Sequence, residues 1–117
     1  MKIINHYSEL AGHTFFGDTA QGVTGRVAIG AADGASHFCM RIFTIEPQGH
    51  TLRHEHAWEH EIVVHSGKGQ VLQEGAWRNI AAGSVLFIPS HETHQIRNDS
   101  EEDLVFVCLI PAGAPEL

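Results

Sequence analysis

The stretch from Gly49 to Gly67 reads GHTLRHEHAWEHEIVVHSG and holds five of the 10 histidines in the chain. His54 and His56 are two residues apart, so on an extended strand both rings point to the same face. Two imidazoles placed in this way can reach one metal ion, whose nitrogen ligands lie about 2 Å from it. The segment therefore predicts a metal site.

Two further groups could complete this site. The first is the pair His60 and Glu61, of which only one can face the ion, because neighbours on a strand point to opposite faces. The second is His94, which follows His56 by 38 residues and begins the run HQIRN. A ligand so distant in sequence is expected when facing strands share an ion. We expect Glu59, Glu61 or a backbone carbonyl to accept the second N–H of a ligating imidazole.

Short apolar or alternating runs surround the histidine segment and are separated by turn residues. From about residue 22 onward the runs are VTGRVAIG, SHFCMRIFTIEP, EIVVHSG, GQVLQEG, SVLFIP, THQIRN and DLVFVCLIP. Their spacing of about ten residues and their content of Val, Ile, Phe and Thr favour strands of a sandwich or barrel. We predict an all-β domain over residues 22–117, preceded over residues 1–21 by an irregular arm or an edge strand.

The composition limits the class of protein. A chain of 117 residues with 43% hydrophobic and 18% charged residues is typical of one globular domain. The formal net charge of −7 and the lack of a basic run argue against nucleic acid or an anionic membrane as partner. The first residues, MKIINHYSEL, lack the pattern of a secretory signal. We therefore expect a cytoplasmic protein in which Cys39 and Cys108 are reduced.

The order and spacing of these residues resemble the two motifs of the cupins. The residues His54, His56, His60 and Gly67 match positions of the first family motif, G-x5-H-x-H-x(3,4)-E-x6-G. The residues Gly83, Pro89, His94 and Asn98 match positions of the second motif, G-x5-P-x-G-x2-H-x3-N. The resemblance covers roughly residues 36–111 and implies a small single-domain cupin, folded as a double-stranded β-helix or jelly-roll barrel.

This chain departs from the family pattern at three positions. Gln48 stands in the slot of the first Gly, with Gly49 next to it. His91 replaces a Gly of the second motif, and either changes a turn or adds an imidazole at the rim of the pocket. The Glu slot holds His60, because the spacing to Gly67 aligns His60 rather than Glu61. The resemblance thus implies a metal site of four histidines: His54, His56, His60 and His94.

This ligand set limits the metal. Neutral imidazoles suit Mn, Fe, Co, Ni, Cu and Zn, and exclude Ca and Mg as natural occupants. We expect one divalent transition metal per chain. The resemblance favours manganese, with Fe, Cu, Ni or Zn as alternatives. An octahedral ion would keep two positions for an external ligand, whereas a tetrahedral zinc ion would be closed and structural.

Three titratable residues are candidates for catalysis. Arg41, within the run FCMRIFTI, lies either on the solvent face or in a pocket that needs a cation. Similar small cupins place this side toward the cavity, where Arg41 would orient an anionic or carbonyl group. Glu61 and His91 would transfer protons if either reached the pocket.

Three further residues are candidates for the substrate pocket. Phe106 and Cys108 share one face of the run LVFVCLI, and pack in the core or form an apolar pocket wall near the metal. Trp58 lies between the ligands and is either a lid over the site or a dimer contact.

The resemblance first implies an oxygenase-like enzyme that acts on a small organic substrate at the metal. A metal-assisted isomerase, cyclase or lyase is the non-oxidative alternative, and a small-molecule binding or sensor protein is another, because one fold hosts many functions. A homodimer is the family expectation, and it would cover open sheet edges.

Overall fold

Short strands joined by turns form most of the computed structural model, which describes residues 1–15 and 20–117. The strands are β1 (His13–Phe15), β2 (Gln21–Ile29), β3 (Phe38–His50), β4 (His60–Ser66), β5 (Lys68–Gln73), β6 (Ala76–Ala81), β7 (Val85–Ile88), β8 (Ile96–Arg97) and β9 (Leu104–Pro111). Helical structure in the described residues is limited to two 3-10 turns, Tyr7–Glu9 and Ala31–Asp33. The prediction of an all-β chain is confirmed. Within the same ranges, no helix has the length and apolar character needed to cross a membrane.

The strands pair antiparallel and form one curled sheet. Their order is β6-β5-β8-β3-β9-β4-β7, while β2 pairs with both β3 and β1. The longest strand, β3, pairs with β2 and β9 along most of its length and with β8 at His50. Because β3 contributes to both sides in this way, the sheet curls around a common interior.

Alternate residues of the strands fill this interior. On β9, the inward-facing residues Leu104, Phe106, Cys108 and Ile110 are each at most 3% exposed. Strand β4 shows the same period of two, with buried and exposed residues in alternation. Burial of these apolar side chains is the main force that holds the sheet closed.

The segment from Lys2 to Leu10 lies on the outside of the sheet, whereas Phe15 packs against the main core. Tyr7 and Leu10 pack against a small group of buried residues on the outer face, namely Ala28, Ile42 and Val105. Lys2 forms an ion pair with Asp33 at 2.9 Å. Strand β1 adds to β2 as an edge strand. Residues 16–19 of the predicted arm lie outside the described part of the chain.

The structure explains two of the departures from the family motifs. Gln48 and His91 stand where the motifs have glycine, and both have left-handed backbone, with φ of 67° and 63°. Glycine adopts this conformation most readily, which accounts for the motif residue. The N–H of His91 donates to the carbonyl oxygen of His56 at 2.7 Å. His91 therefore belongs to a turn that fixes the loop of the first histidines.

Candidate metal centre

Four histidines from separate parts of the chain meet inside the barrel. His54 and His56 lie in the loop before β4, His60 begins β4, and His94 lies just before β8. One ligand atom from each can be chosen so that all lie within 4.8 Å of one another. Backbone hydrogen bonds of 2.9 and 3.2 Å between His54 and His94 join the two motif segments. The structure thus brings the four predicted ligands together.

Hydrogen bonds at Nδ1 orient three of the rings. Nδ1 of His56 donates to the carbonyl oxygen of Trp58 at 2.8 Å, and Nδ1 of His94 donates to that of Glu92 at 2.9 Å. Nδ1 of His60 lies 3.1 Å from Sγ of Cys108. A proton on Nδ1 leaves the lone pair on Nε2, the nitrogen that a metal would bind. Stacking of Trp58 on His56, with centroids 4.2 Å apart, further fixes that ring.

The donor set fits a divalent transition metal. Nε2 of His56 and Nε2 of His60 are 2.8 Å apart. Two nitrogens at right angles around an ion about 2.1 Å away would be separated by about 3.0 Å. Imidazole nitrogens prefer transition metals over Ca and Mg. His54, His56, His60 and His94 could therefore hold one such ion without a carboxylate.

The electrostatics favour uncharged imidazoles. Burial, together with the charges of the neighbouring His94 and His56, lowers the pKa of His54 from 6.5 to about 4. Burial also lowers the pKa of His60 to about 3, helped by the nearby charge of Arg41. The pKa of His94 is likewise lowered, mainly by burial. These rings are neutral at pH 7, which is the state that binds a metal.

The histidine cluster opens onto a cavity of about 540 Å³. Its wall is largely apolar and includes Phe43, Trp58, Ile62, Ile96, Phe106 and Leu117. Phe43 and Phe106 stack with centroids 5.4 Å apart. A cavity of this size and lining suits a small organic molecule.

Arg41 and the three predicted pocket residues all lie on this cavity. Arg41 is only 7% exposed, so its side chain lies in the interior rather than on the solvent face. Its Nη2 donates to Sγ of Cys108 at 3.0 Å. Phe106, Cys108 and Trp58 also line the wall. Their roles in binding a substrate stay predictions.

Glu61 and His91 do not reach the cavity. Glu61 follows the buried His60 on β4 and is exposed on the outer face, as the period of two requires. The His91 side chain is exposed in its left-handed turn. Each was predicted to transfer protons only if it entered the pocket, and the strand direction and the turn geometry keep both outside.

Sequence reasoning missed two parts of the site. Residues 115–117 contribute Pro115 and Leu117 to the cavity wall, although no motif or periodicity marks them. The acceptor near Nδ1 of His60 is Cys108, whereas a glutamate or a backbone carbonyl was expected. That contact depends on the pairing of distant strands, which the local sequence does not reveal.

Comparison with known proteins establishes the family. Residues 41–110, more than half of the chain, match the cupin domain family. The chain therefore belongs to this family, and its all-β fold is consistent with the cupin jelly-roll.

Individual relatives have several different activities. The structure resembles that of the polyketide cyclase RemF from Streptomyces resistomycificus, with a TM-score of 0.88 and 28% identity over 98% of this chain and 83% of that one. A cupin-2 domain protein from Rhodospirillum rubrum has a TM-score of 0.82 at 21% identity, covering 100% and 78% of the two chains, and shows the fold alone. In sequence, the chain is 29% identical over 73 residues to the 1-methylthio-D-xylulose 5-phosphate methylsulfurylase of Rhodospirillum rubrum. This match covers 62% of the chain and 47% of the relative, so the chain spans about half the length of that curated protein.

Proposed function

We propose that this cupin is a metal-dependent enzyme that converts a small, largely apolar organic compound inside the barrel. The observation that carries the proposal is the position of four clustered imidazoles on the wall of an apolar cavity of about 540 Å³. A site that only stabilises the fold has no need of an adjoining cavity. The proposed cofactor is one divalent transition metal per chain, manganese first, with Fe, Cu, Ni or Zn as alternatives.

The proposed reaction assigns separate roles to the metal, to the apolar wall of the cavity and to the hydrogen bonds that orient the histidines. When bound, the metal would supply Lewis-acid or redox chemistry beside the cavity. Phe43, Phe106 and Trp58 would hold the apolar body of the substrate and exclude water, which strengthens every electrostatic interaction in the site. Hydrogen bonds at Nδ1 keep the rings of His56 and His94 oriented, so the ligand geometry is formed before the substrate binds.

Two reaction classes are candidates. The similarity to a polyketide cyclase over 98% of the chain favours a non-oxidative cyclisation, isomerisation or lyase reaction. An oxygenase-like reaction is the second candidate, because an all-imidazole set also suits the redox-active metals Mn, Fe and Cu. A sensor that only binds its ligand is the alternative without catalysis.

Assays with and without oxygen distinguish the non-oxidative reactions from the oxygenase reaction. The metal-free protein is loaded in turn with Mn, Fe, Ni, Cu and Zn, and is given a panel of aromatic and polyketide-like compounds under argon and under air. Product formation is followed by mass spectrometry, and oxygen uptake by an electrode. His56→Ala serves as the control without a complete site.

Each outcome assigns a reaction class. Metal-dependent turnover under argon would support a cyclase-type or isomerase-type enzyme. Turnover only in air, with matching oxygen uptake, would support an oxygenase. Tight binding of a compound without conversion in any metal form would contradict the enzyme proposal and favour a binding protein.

A further inference from the structure

Arg41 is a buried cation whose hydrogen-bonding partners are all uncharged groups. Its guanidinium donates to Sγ of Cys108 at 3.0 Å and to the main-chain oxygen of Glu116 at 3.2 Å, and it lies 3.3 Å from the protonated Nδ1 of His60, which cannot accept a hydrogen bond from it. Its buried Nε has no hydrogen-bond partner. Within residues 1–15 and 20–117, no carboxylate forms an ion pair with Arg41. A buried charge without a counter-charge is costly, so this position favours an incoming anion.

Residues 115–117 occupy one of the donors of Arg41. Nη1 donates to the main-chain oxygen of Glu116, while the carboxylate of Glu116 accepts the N–H of Ala31 at 2.8 Å. The side chain of Leu117 packs over Gly25, where an added Cβ would lie 2.8 Å from Cδ2 of Leu117. Leu117 is nevertheless 44% exposed. The three residues thus form a strap along the cavity wall, held by the hydrogen bonds of Glu116 and by the packing of Leu117.

We propose that Arg41 binds an anionic oxygen of the substrate, and that the Glu116 carbonyl occupies this position until the substrate displaces it. This inference rests on the proposed function, because it assigns the substrate to the same cavity. A carboxylate or enolate oxygen would replace the neutral carbonyl oxygen at Nη1 by a charged acceptor, and so add the Coulomb attraction of an ion pair to the hydrogen bond. The substrate class is therefore a small organic acid, or an ionisable enol or phenol, with an apolar body.

The position of His60 sets the size of this substrate. Arg41 lies on the Nδ1 side of the His60 ring, whereas Nε2 of His60 faces the histidine cluster. A molecule anchored on Arg41 must extend past this ring to reach the cluster. Phe43, whose ring lies 4.9 Å from the guanidinium carbon, and Phe106 would flank its apolar body. A fused two-ring acid is a suitable probe for these requirements.

The test compares a charged probe with a neutral one of the same shape. The affinities of 2-naphthoate and 2-naphthalenemethanol are measured by calorimetry at pH 7 on the metal-free and the zinc-loaded full chain. Arg41→Gln removes the cation, and Arg41→Lys keeps the charge but changes its geometry. Arg78→Gln, at an exposed arginine of β6, changes the net charge equally and is the matched control. Exchange of the Ala31 amide proton, followed by NMR, reports on the strap.

We expect wild type to bind naphthoate about 10-fold more tightly than the alcohol, and Arg41→Gln to lose roughly 10- to 100-fold for naphthoate only. Arg41→Lys should keep the preference for naphthoate with a weaker affinity, and it decides the matter if Arg41→Gln does not fold. Naphthoate, but not the alcohol, should accelerate exchange of the Ala31 amide, because the Glu116 carboxylate moves away.

Three results would overturn the inference: equal affinity of the two probes for wild type, a loss in Arg41→Gln no larger than in Arg78→Gln, or unchanged exchange at Ala31 on naphthoate binding. Its failure is distinct from failure of the proposed function. Arg41-dependent binding of naphthoate to a protein that takes up no metal would leave this inference standing and remove the enzyme. Normal metal uptake without Arg41-dependent binding would remove this inference and leave the proposed enzyme standing.

Discussion

Replacement of Cys108 by alanine removes the sulfur atom that accepts a hydrogen bond from Nδ1 of His60. Sγ of Cys108 lies 3.1 Å from Nδ1 of His60 and 3.0 Å from Nη2 of Arg41, and the residue is 1% exposed. With Nε2 of His60 turned to a metal, Nδ1 carries the proton, and Sγ is the acceptor within reach. The Ala variant therefore leaves the ring free to turn and deprives Arg41 of one acceptor.

The expected effect on metal binding is large and separable from the effect on folding. Loss of such a partner of a ligating histidine weakens metal affinity by about 10- to 100-fold, or about 1.4–2.7 kcal/mol. The free energy of unfolding of the metal-free protein should fall by about 1 kcal/mol, because the missing sulfur leaves a small cavity. Cys108→Ser keeps an acceptor oxygen and should retain most of the affinity.

Competition titrations of zinc against a chromophoric chelator measure the first effect, and thermal unfolding without metal measures the second. Cys39→Ala is the matched control, because Cys39 is also buried, at 3% exposure, and makes no hydrogen bond to the histidine cluster in the described part of the chain. A zinc Kd for Cys108→Ala within about threefold of that for Cys39→Ala would refute the positioning role.

Three other predictions address the electrostatics, the ligand set and the assembly. Since burial holds the pKa of His54 at about 4 and of His60 at about 3, the folded metal-free protein binds fewer protons than the unfolded chain below pH 6.5. Its stability should be full above pH 6.5 and fall steadily toward pH 4, and a Tm that stays constant between pH 7 and pH 5 would contradict this. Glu61→Gln should leave the metal content at the wild-type level, because the carboxylate lies on the outer face of β4; a loss of metal would place Glu61 among the ligands. The expected homodimer has an exposed apolar face available in Val85 and Phe87, which are 81% and 60% exposed. Phe87→Glu should halve the mass found by light scattering with unchanged metal content, whereas a monomeric wild type would reject the dimer.

The strand pattern and the clustering of the histidines could be predicted because both depend on local spacing. A period of two in the runs predicts strands, and the same period places Glu61 opposite His60 on β4. His54 and His56 lie in the loop before β4 rather than on the expected strand, and both still line the cavity. His94 could be assigned because the spacing from Gly83 to Asn98 matches a family motif. In each case a few residues of sequence contain the information.

The rest of the site depends on how distant strands pair. Arg41 of β3 lies directly opposite Cys108 of β9, and Cys108 lies opposite Ile62 of β4. A shift of one residue in either pairing would turn Cys108 away from His60. The strap formed by residues 115–117 likewise depends on the packing of Leu117 over Gly25, which no local pattern reports.

We propose above all that four histidines hold one catalytic metal ion. Elemental analysis of the untagged protein, purified without chelators or nickel resin, tests it most directly, beside His56→Ala treated in the same way. We predict about one equivalent of a transition metal per wild-type chain, and loss of most of it in His56→Ala with the β-sheet circular dichroism unchanged. Wild type that takes up no metal even after reconstitution, or His56→Ala that retains the full equivalent, would contradict the account.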